Sequence, residues 1–254
     1  MTTTQRIQVF DSSSQAYHKA FQTFLDHTDQ KTRARETLGR KVAGLTHKRI
    51  FIDAGAGNGK VTAWFTDSFQ QTLAMEPNPS LRQELATVCP RAKILPDIIL
   101  EAKVSDKADF ILASHVFYYI PGPEWMANLD RMVSWLAPQG TLIVILQNSQ
   151  SDCMQMLRHF LKRAFDLKQL AGAFEEKAAD DLEVSVETVP SRISTPDLDK
   201  AYSVAEFMLN LLPLPEPPAS AEVCGYVQKH FKAKDGSFRF SCTQDFLQIR
   251  RRPA

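Results

Sequence analysis

The stretch Ile52-Asp53-Ala54-Gly55-Ala56-Gly57-Asn58-Gly59-Lys60 sets a carboxylate and three alternate glycines at the end of an apolar run. Such a turn lets main chain approach a ligand that a Cβ would hold away, and its place just beyond a strand suits the polar end of a nucleoside-like molecule. A tight turn without a ligand is the plain structural alternative. The dinucleotide fingerprint fits less well, because it spaces its last glycines by three and carries no acidic residue at the strand end. Glu76 lies about twenty residues further on, at the tip of the next apolar run, where a carboxylate can accept both hydroxyls of a ribose. Asp97, after Ile94-Leu95-Pro96, can reach an adenine amino group or stand as a solvated loop aspartate.

Ser114 and His115 close a fourth apolar run, and Tyr118 and Tyr119 follow. His115 can take a proton from an ammonium nucleophile or orient it; the bland alternative is a buried histidine bonded to a backbone carbonyl. Ring faces stabilise a desolvated cation by about 0.5–2 kcal/mol without adding a competing nucleophile, which makes the two tyrosines candidates for a cation cage. Otherwise one ring packs in the core while its neighbour caps the sheet edge. His18, His27, His47, His159 and His230 show no ligand spacing, so no metal site is expected.

The elements that must position these groups follow from periodicity. Five apolar runs, at 49–55, 72–78, 92–97, 109–115 and 140–148, alternate with helical segments and predict an α/β fold with a parallel, Rossmann-like doubly wound sheet. Residues 60–69 read as the helix after the glycine turn, Ser80 as the N-cap of the next helix, and Pro138 with Gly140 as the stop of a helix begun near Gly122. Residues 181–189 and 237–249 alternate with period two and read as closing strands, the last antiparallel at one side of the sheet. Tyr17, Phe21, Phe24 and Leu25 form an amphipathic helical stripe near the start, with Phe24 assigned to the core. An insert before the last strand holds two helical stretches split by Pro213, Pro215, Pro217 and Pro218.

A chain of 254 residues without a composition break reads as one domain, with an N-terminal helical region at 1–44, a core at 45–150 and a helical insert at 200–234. Thirty basic side chains against 29 acidic ones give no long-range field for nucleic acid or an anionic membrane, so the expected partner is a small molecule. Arg250 to Arg252 read as a solvated tail. The dispersed Cys89, Cys153, Cys224 and Cys242, the polar start and the lack of a long apolar run predict a cytoplasmic protein, a monomer or weak homo-oligomer.

Asp53 to Gly59, Glu76, Asp97 and Ala113-Ser114-His115-Val116-Phe117-Tyr118-Tyr119-Ile120 together resemble the successive motifs of class I S-adenosylmethionine-dependent methyltransferases. The resemblance implies S-adenosyl-L-methionine as cofactor and the strand order 3-2-1-4-5-7-6 with the seventh antiparallel. It implies that Asp53, Gly55, Ala56 and Gly57 hold the methionine part, Glu76 the ribose, Asp97 the adenine region, and Ser114 or His115 the sulfonium end. Segments near both termini and in the insert also resemble the histamine N-methyltransferase family, in the same order. That likeness implies an N-terminal helical lid and an aromatic acceptor space shaped by Tyr17, Phe21, Gln30, Tyr118, Tyr119 and His115. Gln30, His115 and Cys242 stand where that family contacts histamine through a glutamate, a glutamine and an asparagine; a neutral Gln30 cannot pair with an ammonium as a carboxylate would.

The function expected from these readings is methyl transfer to a small amine-type metabolite. The alternatives are cyclisation of S-adenosylmethionine to azetidine-2-carboxylate with release of methylthioadenosine, and a non-catalytic protein that binds the nucleoside. A dinucleotide-dependent oxidoreductase ranks below these.

Overall fold

The computed structural model describes residues 5–10, 14–212 and 214–253, so Pro213 of the proline cluster lies outside the described residues. The first elements in chain order are α1 (Gln15–His27), α2 (Gln30–Ala43), β1 (Ile50–Ala54), β2 (Gln71–Met75), α3 (Pro79–Val88), β3 (Lys93–Leu95) and β4 (Ala108–Ser114). There follow α4 (Trp125–Ser134), β5 (Leu136–Gln147), α5 (Asp152–Leu161), α6 (Leu167–Glu175), β6 (Leu182–Val189) and β7 (Arg192–Thr195). The last are α7 (Leu198–Leu209), α8 (Ser220–Phe231), β8 (Phe238–Ser241) and β9 (Gln244–Arg251). The chain divides into two compact units: Arg35–Leu146 with Asp166–Thr188 and Asp245–Ala254, and Met1–Ala34 with Gln147–Phe165 and Val189–Gln244.

The first unit is built on a seven-stranded mixed sheet in the order β3-β2-β1-β4-β5-β9-β6, the last strand of the chain being antiparallel. This is the predicted order, with β9 as the seventh strand. β1 lies between β2 and β4 in parallel register, Asp53 facing Ala74 on one side and Leu112 on the other. The unbroken apolar runs of β1 and β4 reflect burial on both sheet faces. Phe51, Phe69 and Phe110 anchor one face, with ring centroids 5.4 to 6.0 Å apart.

Residues 60–69 form two short 3-10 turns, Thr62–Trp64 and Thr66–Ser68, instead of the expected helix. Val61, Thr62 and Thr66 are β-branched and stiff, and Phe65 and Phe69 are both pulled into the aromatic cluster. Asn78, not Ser80, caps α3: its Oδ1 accepts from the N–H of Ser80 and Leu81 at 2.9 and 3.3 Å, with Pro79 at the first helical position. α4 ends at Ser134, and Pro138 and Gly140 lie inside β5 where its register with β4 shifts. A Cβ on Gly140 would sit 2.6 Å from the Ala108 carbonyl oxygen, so that glycine serves strand contact and not helix termination. The C-terminal arginines are no free tail: Arg251 pairs with Asp181 and the Arg252 N–H donates to the Asp181 carbonyl at 2.7 Å.

The second unit is mostly helical. α1 packs on α7, and the predicted stripe becomes a ladder of rings in which Tyr17, Phe21 and Phe24 lie 5.7, 5.5 and 5.4 Å from Phe207. Phe24 is buried, as its assignment to the core required. The insert does form two helices, α7 and α8. Residues 5–10 are tied to it: the N–H groups of Ile7, Gln8 and Phe10 donate to Pro218 O, Glu206 Oε1 and Asn210 Oδ1 at 3.0, 2.8 and 2.8 Å. The run 237–249 is not one strand. Its first part, β8, pairs antiparallel with β7; the Cys242 N–H adds one more in-register bond, to Ser191 O at 2.9 Å, and the ladder ends there because the Cys242 carbonyl accepts from the side chains of Gln30 and Ser191 instead.

Candidate functional site

The parallel strands of the first unit end together, and the residues singled out at those ends are close neighbours through main-chain bonds. The N–H groups of Gly55 and Ala56 both donate to the Met75 carbonyl, at 3.0 and 2.8 Å. The glycine turn after β1 is thereby pinned to the tip of β2. Gly55, Gly57 and Gly59 all take positive φ, 97°, 55° and 82°. Their surroundings differ. A Cβ on Gly55 would lie 2.3 Å from Val116 Cγ2, whereas one on Gly57 would meet nothing within 4 Å. Gly55 is thus required by the protein's own packing, and Gly57 is where the turn faces open space.

Glu76 is 7% exposed and spans the two strand ends. Its Oε2 accepts from the Gly57 N–H at 2.9 Å and its Oε1 from the Asn78 N–H at 2.8 Å. A carboxylate has about four acceptor positions, so two main-chain donors hold this one in place and leave capacity for two more. Gly55, Ala56 and Gly57 commit their N–H groups within the protein, and the Ala56 carbonyl accepts the Gly59 N–H at 3.0 Å, so a donor such as an ammonium would meet the turn's other carbonyl oxygens. Asp53 is buried beneath, with Oδ2 accepting the Thr62 hydroxyl at 2.6 Å. Asp97 is half-buried just past β3, beside an exposed Ile98.

At the end of β4, half-buried Ser114 leads into His115, a non-glycine residue at φ 60°. Its N–H donates to the Ile145 carbonyl at 2.9 Å, and its ring stacks on Tyr118 with centroids 5.8 Å apart. Backbone held in this sparsely populated region needs support from around it. Trp125 supplies part of it: its Nε1 donates to the carbonyls of Phe117 and Ile120 at 3.1 and 2.9 Å, clamping the 3-10 turn Phe117–Tyr119. Phe117 is the buried ring of this turn, Tyr118 is half-buried and Tyr119 is 68% exposed.

The other predicted residues lie in the helical unit. Tyr17 and Phe21 are half-buried and stacked at 6.2 Å, and burial pushes the Tyr17 hydroxyl pKa up. Gln30 and Cys242 are brought together, both buried: Gln30 Nε2 donates to the Cys242 carbonyl at 3.0 Å, which also accepts the Ser191 hydroxyl at 2.7 Å. The Cys242 thiol contacts Thr28 Oγ1 at 3.2 Å; its burial pushes its pKa up, against the bonds from Ser191 and Thr28. Among the described residues no group of three or more His, Cys, Asp or Glu could hold a metal ion, and no helix is long and apolar enough to cross a membrane.

Sequence reasoning missed Thr62, Asn78 and Val116. The signal for Asn78 was present, since Asn-Pro before a helical run places the cap one residue before the proline. Thr62 carried only its spacing from Asp53, and Val116 carried none.

A family model described as a methyltransferase domain matches residues 20–184. An uncharacterized methyltransferase of Exiguobacterium sibiricum is 26% identical over 92 residues, which cover 36% of this chain and 43% of that relative. The chain therefore matches under half the length of that curated protein. Among solved structures, the YcgJ protein of Bacillus subtilis is similar with a TM-score of 0.59 and 12% identity, over 86% of this chain and 99% of that one. The N-methyltransferase NodS of Bradyrhizobium japonicum, in complex with S-adenosyl-L-homocysteine, is similar with a TM-score of 0.58 and 12% identity, over 94% and 99%. At these identities the likeness speaks to the fold.

Proposed function

The chain belongs to the methyltransferase-domain family, and we propose that it transfers the methyl group of S-adenosylmethionine to a small amine-type metabolite by in-line displacement. The observation that carries the reading is Glu76. Its two oxygens are fixed by the Gly57 and Asn78 N–H groups and keep two acceptor positions, the number a ribose diol requires. The donor set fits the rest of the cofactor too: carbonyl oxygens of the glycine turn and the buried carboxylate of Asp53 suit a methionine ammonium, and Gly57 leaves room for it. Asp97 and the exposed Ile98 would meet the adenine region.

When bound, the sulfonium supplies an already activated methyl group, so the protein's task is alignment and exclusion of water. His115 and Tyr118, stacked and clamped at the end of β4, would orient the acceptor nitrogen, and His115 would take its proton. Tyr119 would close over the cation as an aromatic face, which places no nucleophile near the methyl group. Tyr17 and Phe21 are the aromatic candidates of the helical unit for acceptor recognition.

The test is to incubate the pure protein with S-adenosylmethionine, with and without a panel of small amines, and identify the nucleoside released. S-adenosylhomocysteine formed only with an amine is the expected result. Methylthioadenosine formed without an acceptor would replace this reading by cyclisation or lyase chemistry, and no turnover with tight binding would make the chain a binding protein.

A further inference from the structure

The site contains a buried contact that neither the motif pattern nor the family match assigns. Thr62 is fully buried, and its hydroxyl donates to Asp53 Oδ2 at 2.6 Å, a short bond of the charge-assisted kind. Thr62 is itself held: its carbonyl accepts from the Thr66 hydroxyl at 3.0 Å and from the Phe65 N–H at 3.1 Å. Asp53 belongs to β1, so strand register fixes its backbone, but register leaves the plane of its carboxylate open to rotation. The first 3-10 turn begins at Thr62 and brings a donor back over the strand it follows.

We infer that Thr62 is a positioning residue for recognition of the cofactor's amino-acid end: its hydroxyl orients the Asp53 carboxylate next to the Gly55–Gly57 turn, so that an ammonium settling on that turn finds the carboxylate in a fixed orientation. This rests on the proposed cofactor reading. Removing the donor takes away a bond that fixes the plane of the buried carboxylate. A role confined to holding the turn together would affect every ligand of the site alike. A role in amino-acid recognition affects only ligands that carry the ammonium.

Two ligands separate these cases: S-adenosylhomocysteine carries the amino acid, and 5′-methylthioadenosine has the same nucleoside without it. Calorimetric titration of Thr62→Val is expected to show about tenfold weaker binding of S-adenosylhomocysteine, the scale of one hydrogen bond to a charged group, with methylthioadenosine affinity within about twofold of wild type. Thr62→Ser, which restores a hydroxyl, is expected to recover most of the loss. Should the valine side chain prevent folding, Thr62→Ala gives the same readout. Parallel loss of both ligands, no loss of either, or failure of serine to rescue overturns the positioning role while leaving the cofactor reading intact. Wild-type protein that binds neither ligand overturns both.

Discussion

The strand-end site of the sheet unit and the Gln30–Cys242 network of the helical unit are both buried and polar, and both contain residues that the sequence offered for ligand contact. They differ in how their hydrogen-bonding capacity is spent. Glu76 is held by two main-chain donors and retains two acceptor positions. In the network, the Gln30 amide, the Cys242 carbonyl and thiol, Ser191 and Thr28 satisfy one another. A buried group that has found its partner stabilises a fold, whereas one fixed in place with capacity left over is prepared for a ligand. Residue type and alignment position do not separate the two cases; the partner of each polar atom does.

The largest effect is expected from Gly55→Ala, which combines a φ of 97° with a Cβ 2.3 Å from Val116. It should cost about 3 kcal/mol in denaturant unfolding, while Gly57→Ala, with open space before it, should cost about 1 kcal/mol. Equal costs would show that packing does not distinguish these glycines. Next, Glu76→Ala should weaken S-adenosylhomocysteine binding by about 1–3 kcal/mol in calorimetry; undiminished affinity would remove Glu76 from the site.

The helical unit should answer in the opposite way. Gln30→Leu leaves the buried Cys242 carbonyl with the Ser191 hydroxyl as its remaining side-chain donor and should lower stability by about 1 kcal/mol, with S-adenosylhomocysteine affinity unchanged. A variant of full stability but poor acceptor turnover would return Gln30 to the acceptor site. The smallest effect concerns pH. Burial opposes ionisation of Asp109, but its bonds with the Arg49 guanidinium and the N–H groups of Arg49 and Ile50 overcome this and hold its pKa below the usual carboxylate value. A depressed folded-state pKa contributes stability above about pH 4 that is lost as pH falls through the folded value. Asp109→Asn should flatten that acid limb of the stability curve and leave cofactor binding unchanged.

The sheet was legible because five of its strands wrote continuous apolar runs and the two closing strands alternate with period two, and both its order and its antiparallel closing strand were expected from the family resemblance. The glycine turn and Glu76 were legible for a related reason: their positions at strand ends follow from the runs that precede them. Residues 60–69 misled, since their apolar spacing also satisfies a pair of 3-10 turns once Phe65 and Phe69 are drawn into the cluster around Phe51. Period two continued through Cys242, so the division of 237–249 between two sheets was invisible; what ends β8 is a set of bonds to Gln30 and Ser191, far away in the chain.

Local pattern by itself therefore determined the class of fold and the acidic and glycine residues at the strand ends, because burial on two faces and a need for positive φ are written into neighbouring residues; the strand order came from the family resemblance that those residues carry. Tertiary structure alone decided which polar groups are spent and which remain available. That outcome depends on contacts such as Thr62 with Asp53, Gly57 with Glu76 and Gln30 with Cys242. A hydrogen bond between residues distant in the chain leaves no periodic trace along it, and only the folded backbone brings donor and acceptor within reach.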